Sequence, residues 1–150
     1  MQMKAFSSSR SASRGVSLIE VLVSVLILGI GLLGIAAMQA LALGNSQSSV
    51  ERTQAVIHSY SILDAMRANR DDAIAGNYSS GLICPGDAVP GAGISGADLD
   101  TWIQSVRASL QTGCAPVQNN ADVFTVTVQW NDQRGSGGNA TQQVVTVSRL

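Results

Sequence analysis

From Val21 to Leu43 the chain reads VLVSVLILGIGLLGIAAMQALAL, 23 residues without one ionisable side chain. As a helix rising about 1.5 Å per residue, such a run is about 34 Å long and crosses the hydrocarbon core of a bilayer. A segment of this length and composition restricts the fold: it enters lipid or a protein bundle, and everything after it is a separate, smaller problem. One charge intrudes at its edge. Glu20 sits directly before Val21, within the apolar stretch that begins at Val16. A charge at the centre of a bilayer helix is penalised by about 2.5–3.5 kcal/mol even on the lenient insertion scale, so this carboxylate calls for a reason.

Charge is distributed unevenly around the run. Lys4, Arg10 and Arg14 are the only charged residues before Val16, giving that segment +3. The remaining 6 basic residues face 10 acids, a net of −4. A basic start followed by an apolar run predicts an export signal or anchor whose start stays inside the cell. Residues 1–15 (MQMKAFSSSRSASRG) are polar and serine-rich and read as a leader. The later arginines are scattered and outnumbered by acids, so no nucleic-acid surface is expected.

Gly29, Gly31 and Gly34 fall on different faces of the apolar helix and form no GxxxG seam. Each weakens the helix by about 1 kcal/mol relative to alanine, so loosening there and a merely weak anchor both remain open. From Ser46 to Asp72 the pattern turns amphipathic, with Val50, Ile57, Tyr60, Leu63 and Met66 forming the expected apolar stripe. No proline separates the two segments, although Gly44-Asn45 offers a bend. One long helix, or two nearly coaxial ones, is expected from about Val16 to Ala75.

Gly76-Asn77 ends that helix, and residues 76–97, with Pro85, Pro90 and six glycines, read as loop. Asp98 is the expected N-cap of a second helix to about Gln111, with an inward stripe of Leu99, Trp102, Ile103, Val106 and Leu110. Phe124, Val126, Val128 and Trp130 alternate with Thr125, Thr127 and Gln129, the period of a half-buried strand. A polar, glycine-rich loop from Asn131 to Asn139 leads to a second strand around Val144, Val145 and Val147. The fold class expected is α+β, a long N-terminal helix with its amphipathic half on a small antiparallel sheet. The divisions are 1–15 leader, 16–43 transmembrane helix, 44–75 amphipathic helix and 76–150 head.

Cys84 and Cys114 lie beyond the anchor without CxxC spacing, and His58 is the single histidine. A disulfide is expected in an exported head, and a zinc site is not. Catalytic candidates are few. His58 reads as a surface or packing residue, Asp98 and Asp100 as capping acids, and Asp71-Asp72 as a solvent-facing helix end. Trp102 and Trp130 read as core, with stacking on carbohydrate as the alternative. No phosphate loop, nucleophile arrangement or metal cluster is evident, no cofactor is expected, and the chain does not read as an enzyme.

Gly15-Val16-Ser17-Leu18-Ile19-Glu20, behind Arg14 and ahead of the apolar run, resembles the class III signal of type IV pilins and the related pseudopilins. The resemblance implies cleavage by a prepilin peptidase between Gly15 and Val16, N-methylation of Val16, and Glu20 as the assembly carboxylate at the fifth mature position. Val16 stands where phenylalanine or methionine is usual, and Ala37 occupies the region where major pilins often carry a proline. GIGLLGIAAMQ (Gly29 to Gln39), the helix with Asp98, Leu99 and Trp102, and VTVQWND (Val126 to Asp132) look like the PilV minor-pilin family, also called type IV pilus modification protein. That resemblance implies a single-pass inner-membrane precursor with a cytoplasmic leader and a periplasmic head, found after processing in the pilus, at its tip. Its partners would be the prepilin peptidase, other minor and major pilins, and the inner-membrane pilus assembly machinery. A pseudopilin of a type II secretion system shares the signal and architecture. A conventionally secreted binding protein is the rival of another class, cut after Ala40-Leu41-Ala42, but it leaves Glu20 without a purpose.

Overall fold

A computed structural model describes residues 15–150, so the leader, apart from Gly15, lies outside the described residues. The chain divides into two compact units, one ending at Gln39 and one spanning Ala40–Leu150. In the first unit the described part is helix from Leu18 onward, with every residue from Gly15 to Gln39 exposed. This helix, α1, runs Leu18–Ala68 and stays helical through Gly44-Asn45.

The second unit is an α+β head. After α1 come α2 (Arg70–Ile74), β1 (Ser80–Ile83), α3 (Gly93–Ser109), β2 (Ala115–Asn120), β3 (Val123–Trp130) and β4 (Gln142–Arg149). The strands form one antiparallel sheet in the order β1-β2-β3-β4, a meander in which each strand pairs with its sequence neighbour. β3 shows why one face is the core: Phe124, Val126, Val128 and Trp130 are buried while the residues between them are not. The second half of α1 and the stripe of α3 cover that face. Ile62, Leu63 and Met66, with Leu99, Trp102, Ile103 and Val106, join the strand residues in one apolar cluster. The Trp102 indole N–H donates to the His58 carbonyl at 2.8 Å and ties α3 to α1.

Four expectations need correction. The buried face of α1 is Glu51, Ala55, Ser59, Ile62, Leu63 and Met66, whereas Val50, Ile57 and Tyr60 are exposed. Size misled the reading: the contact face takes small side chains where another element comes close. Ser59 satisfies its own hydroxyl on the Ala55 carbonyl at 2.9 Å. Secondly, α1 ends at Ala68 because Asn69 leaves helical geometry (φ −123°, ψ 59°), and its side chain donates to Asp72 at 2.8 Å.

Thirdly, α3 starts at Gly93, with Ala92 as N-cap, so Asp98 lies inside the helix. There its carboxylate accepts from the Tyr78 hydroxyl instead of capping backbone N–H groups. Finally, the segment read as loop contains β1, and β2 was not foreseen. Gly81 in one and Pro116, Asn119 and Asn120 in the other are poor strand formers, and pairing of β2 with β3, and of β1 with β2, overrides them. The β2–β3 turn even holds Ala121 at φ 57°, a region that favours glycine.

Candidate functional site

The N-terminal segment is built by a simple local device. The Ser17 carbonyl accepts the N–H groups of Glu20 at 3.0 Å and Val21 at 3.2 Å, which starts α1. Glu20 therefore lies in the first helical turn, where the positive end of the helix dipole favours an acid. Ser24, one turn on, donates its hydroxyl to the Glu20 carbonyl at 2.7 Å and so occupies the same helix face. The Glu20 carboxylate makes no hydrogen bond or ion pair among the described residues. Val16 precedes the helix and is exposed.

Gly15 has open space where a Cβ would go, with no atom within 4 Å. Nothing in the chain's own packing requires a glycine there. The same is true of Gly29, Gly31 and Gly34. Exposed apolar side chains continue from Val16 to Leu43, and an 18-residue stretch of α1 has a mean hydropathy of 2.7 with none of it buried. An apolar surface of this extent marks a lipid or protein environment. Leucine, isoleucine and valine side chains are exposed all along this half of the helix, as expected of a membrane-spanning segment.

The other candidates lie in the head. Cys84 and Cys114 are joined in a disulfide, 30 residues apart, which links the end of β1 to the start of β2 and encloses α3. His58 approaches Ser109 Oγ at 2.7 Å through Nε2 and Ser105 Oγ at 3.4 Å through Nδ1, and burial lowers its pKa. The Ser109 hydroxyl also lies 3.2 Å from the Ser105 and Val106 carbonyls of its own helix, and no carboxylate bonds the imidazole among the described residues. This is a helix–helix contact. Asp100 accepts from Gln104 at 2.8 Å, and Asp72 accepts from Asn69 and Asn77. The Tyr78 hydroxyl is pushed up to about 12 by burial and by Asp98 beside it. Trp102 and Trp130 are both buried, which removes stacking on an exposed ring face. No group of three or more metal-binding side chains gathers among the described residues.

One cluster was missed from sequence. The β3–β4 loop is fastened to α1 by three side chains spaced three apart, Asn45, Ser48 and Glu51. Asn45 Oδ1 accepts from the Ser136 hydroxyl at 2.6 Å, Ser48 donates to Asp132 at 2.5 Å, and Arg134 pairs with Glu51. Gly44 allows the loop in, since a Cβ there would stand 2.9 Å from the Arg134 carbonyl. The one available signal was Glu51, an acid on the same helix face as Ala55 and Ile62.

Residues 10–36 match the family described as the prokaryotic N-terminal methylation motif. No match is found among curated proteins or solved structures. The matched segment spans Arg14, Gly15, Val16 and Glu20 and the apolar run as far as Ala36. With the long apolar helix and the α+β head, it supports a type IV pilin-like or pseudopilin protein, anchored in the membrane and structural in role.

Proposed function

We propose that the chain is a minor type IV pilin of the PilV kind, a subunit that helps prime pilus assembly. The observation that carries this reading is the coincidence of the methylation motif with Glu20 in the first turn of a helix whose N-terminal half is apolar and exposed. The prepilin peptidase would cut after Gly15, whose unfilled surroundings leave the glycine to be explained by recognition of the cleavage site. The new amine of Val16, after methylation, stays cationic near neutral pH, since an α-amine has a pKa of about 7.7–8.0. Before assembly Glu20 lies about one turn from the cytoplasmic end of the anchor, close enough for its carboxylate to reach the interface. In a bundle of such helices a lone carboxylate is costly, and the amine of a neighbouring subunit offsets that cost. Glu20 would then fix the axial register between subunits.

The test is Glu20→Leu and Glu20→Gln in the full-length chain. Both variants should insert and be cut after Gly15. The Leu variant should fail to co-purify with the other minor pilins, and the Gln variant, which keeps shape without charge, should be impaired. Normal co-purification and piliation with Glu20→Leu would refute the pairing role. Mass spectrometry of the co-purified subunits separates the two assemblies: minor pilins support the proposal, and secretion-system components support the pseudopilin alternative.

A further inference from the structure

The two edges of the sheet are built differently. β1 is 4 residues long, contains Gly81 and meets β2 with a shifted register. A short, irregular strand of this kind blunts an edge against further pairing. β4 has no such defence. It pairs with β3 through 8 consecutive residues, Gln142 to Arg149, without proline, glycine, lysine or a bulge. Val145 and Val147 on it are 51 % and 61 % exposed. A long, regular edge of β-branched residues invites another strand.

Backbone alternation decides which groups that edge offers. Cys114 and Gln129 exchange both backbone bonds at 2.8 Å, so Gln129 turns its N–H and C=O to the β2 side. The alternate residues Phe124, Val126, Val128 and Trp130 then turn theirs to β4, opposite Ser148, Thr146, Val144 and Gln142. The backbone groups of Gln143, Val145, Val147 and Arg149 therefore point away from β3. No strand pairs with them among the described residues, and the Ser148 hydroxyl reaches the Arg149 carbonyl at 3.1 Å.

Three guanidinium groups gather at the C-terminal end of this edge. Arg67 donates to the Ser148 hydroxyl and Arg70 to the Leu150 carbonyl, each at 3.1 Å, and Arg149 lies on β4 itself. Arg67 is paired with Asp64. Arg149 meets Asp122 only at 3.7 Å, and Arg70 has no carboxylate partner among the described residues, Asp71 and Asp72 included. β4 carries no acid, so a second copy of the strand would leave these arginines unanswered. We propose that β4 is the docking edge for an extended segment of another protein, which adds as a fifth strand. Its β-branched side chains cover Val145 and Val147, and an acidic residue faces Arg70 and Arg149. Backbone bonds supply the affinity, and the valines and arginines the sequence preference. The inference does not depend on the pilin reading.

The experiment selects a display library of randomised ten-residue peptides on the full-length chain in detergent micelles. Enriched peptides should alternate β-branched with other residues and carry an acid near one end. The tightest, once synthesised, should slow amide hydrogen exchange at Gln143, Val145, Val147 and Arg149. Val147→Pro removes an outward N–H and no bond to β3, so it should weaken that peptide about tenfold. Should this variant misfold, N-methylation of alternate peptide amides tests the same bonds, and one of the two alternate sets should abolish binding. Glutamine in place of the peptide's acid should weaken binding about threefold. Failure to enrich any peptide, or binding that leaves exchange at those four residues unchanged, would overturn the proposal. So would a wild-type dimer that Val147→Pro dissociates, since a second copy would then occupy the edge.

Discussion

His58 illustrates how a single side chain ties helix packing to solution conditions. It is wedged between α1 and α3, its Nε2 on Ser109, its own carbonyl holding the Trp102 indole. Burial lowers its pKa below the ordinary value of 6.5, so the folded head prefers the neutral ring. The unfolded chain takes up a proton first as pH falls, and linkage then makes stability decline. The full contribution is present above about pH 6.5, is lost as pH falls through that value, and levels off below the lower folded pKa. Thermal unfolding followed from about pH 7.5 to 5.5 should show the midpoint falling in the wild type and a flatter profile in His58→Gln. Equal profiles would mean that the ring is hydrated in the native head. At the same scale, the roles of Asp98 and Glu51 were not legible in the sequence. Asp98 looked like a cap because its partner, Tyr78, is distant in sequence and becomes its neighbour only when α3 docks.

Among the elements, those whose side chains follow one period were readable, and those made by their neighbours were not. β3 alternates cleanly and α3 carries its stripe, so both were expected close to where they lie. β1 and β2 contain glycine, proline and asparagine and are strands because β2 pairs along β3 and β1 in turn pairs along β2. On α1 the apolar residues occupy two faces, and only contact with the head decides which is buried. The disulfide staples the least self-sufficient of these elements, the β1 end and the β2 start, around α3. Closing a loop of 30 residues restricts the unfolded chain and stabilises the head by roughly 3–4 kcal/mol. A Cys84→Ser, Cys114→Ser double variant should show a loss of that size in denaturant unfolding of the detergent-solubilised chain. Thiol labelling of the native wild type should find no free cysteine, and full labelling would contradict the linkage.

At the scale of the whole molecule, the long apolar helix and the α+β head were legible because a charge-free run and alternating apolar patterns can each be read directly from the residues. A charge-free run longer than a soluble helix needs, behind a basic segment, leaves few alternatives. At Gly15 nothing in the chain's own packing requires a glycine, and the cleavage, methylation and assembly roles of Gly15, Val16 and Glu20 belong to the proposed function. The open edge of β4 was invisible, since it depends on which strands pair and in what order. The central claim is that this chain is a prepilin-type precursor, and the identity of its mature N-terminus tests it most directly. The full-length gene should be expressed in hosts with and without prepilin peptidase, and the purified chain examined by intact mass and N-terminal sequencing. With the peptidase, the chain should begin at an N-methylated Val16; without it, the leader should be retained. A mature start at Leu43, or an uncut leader in the peptidase-competent host, would contradict the account.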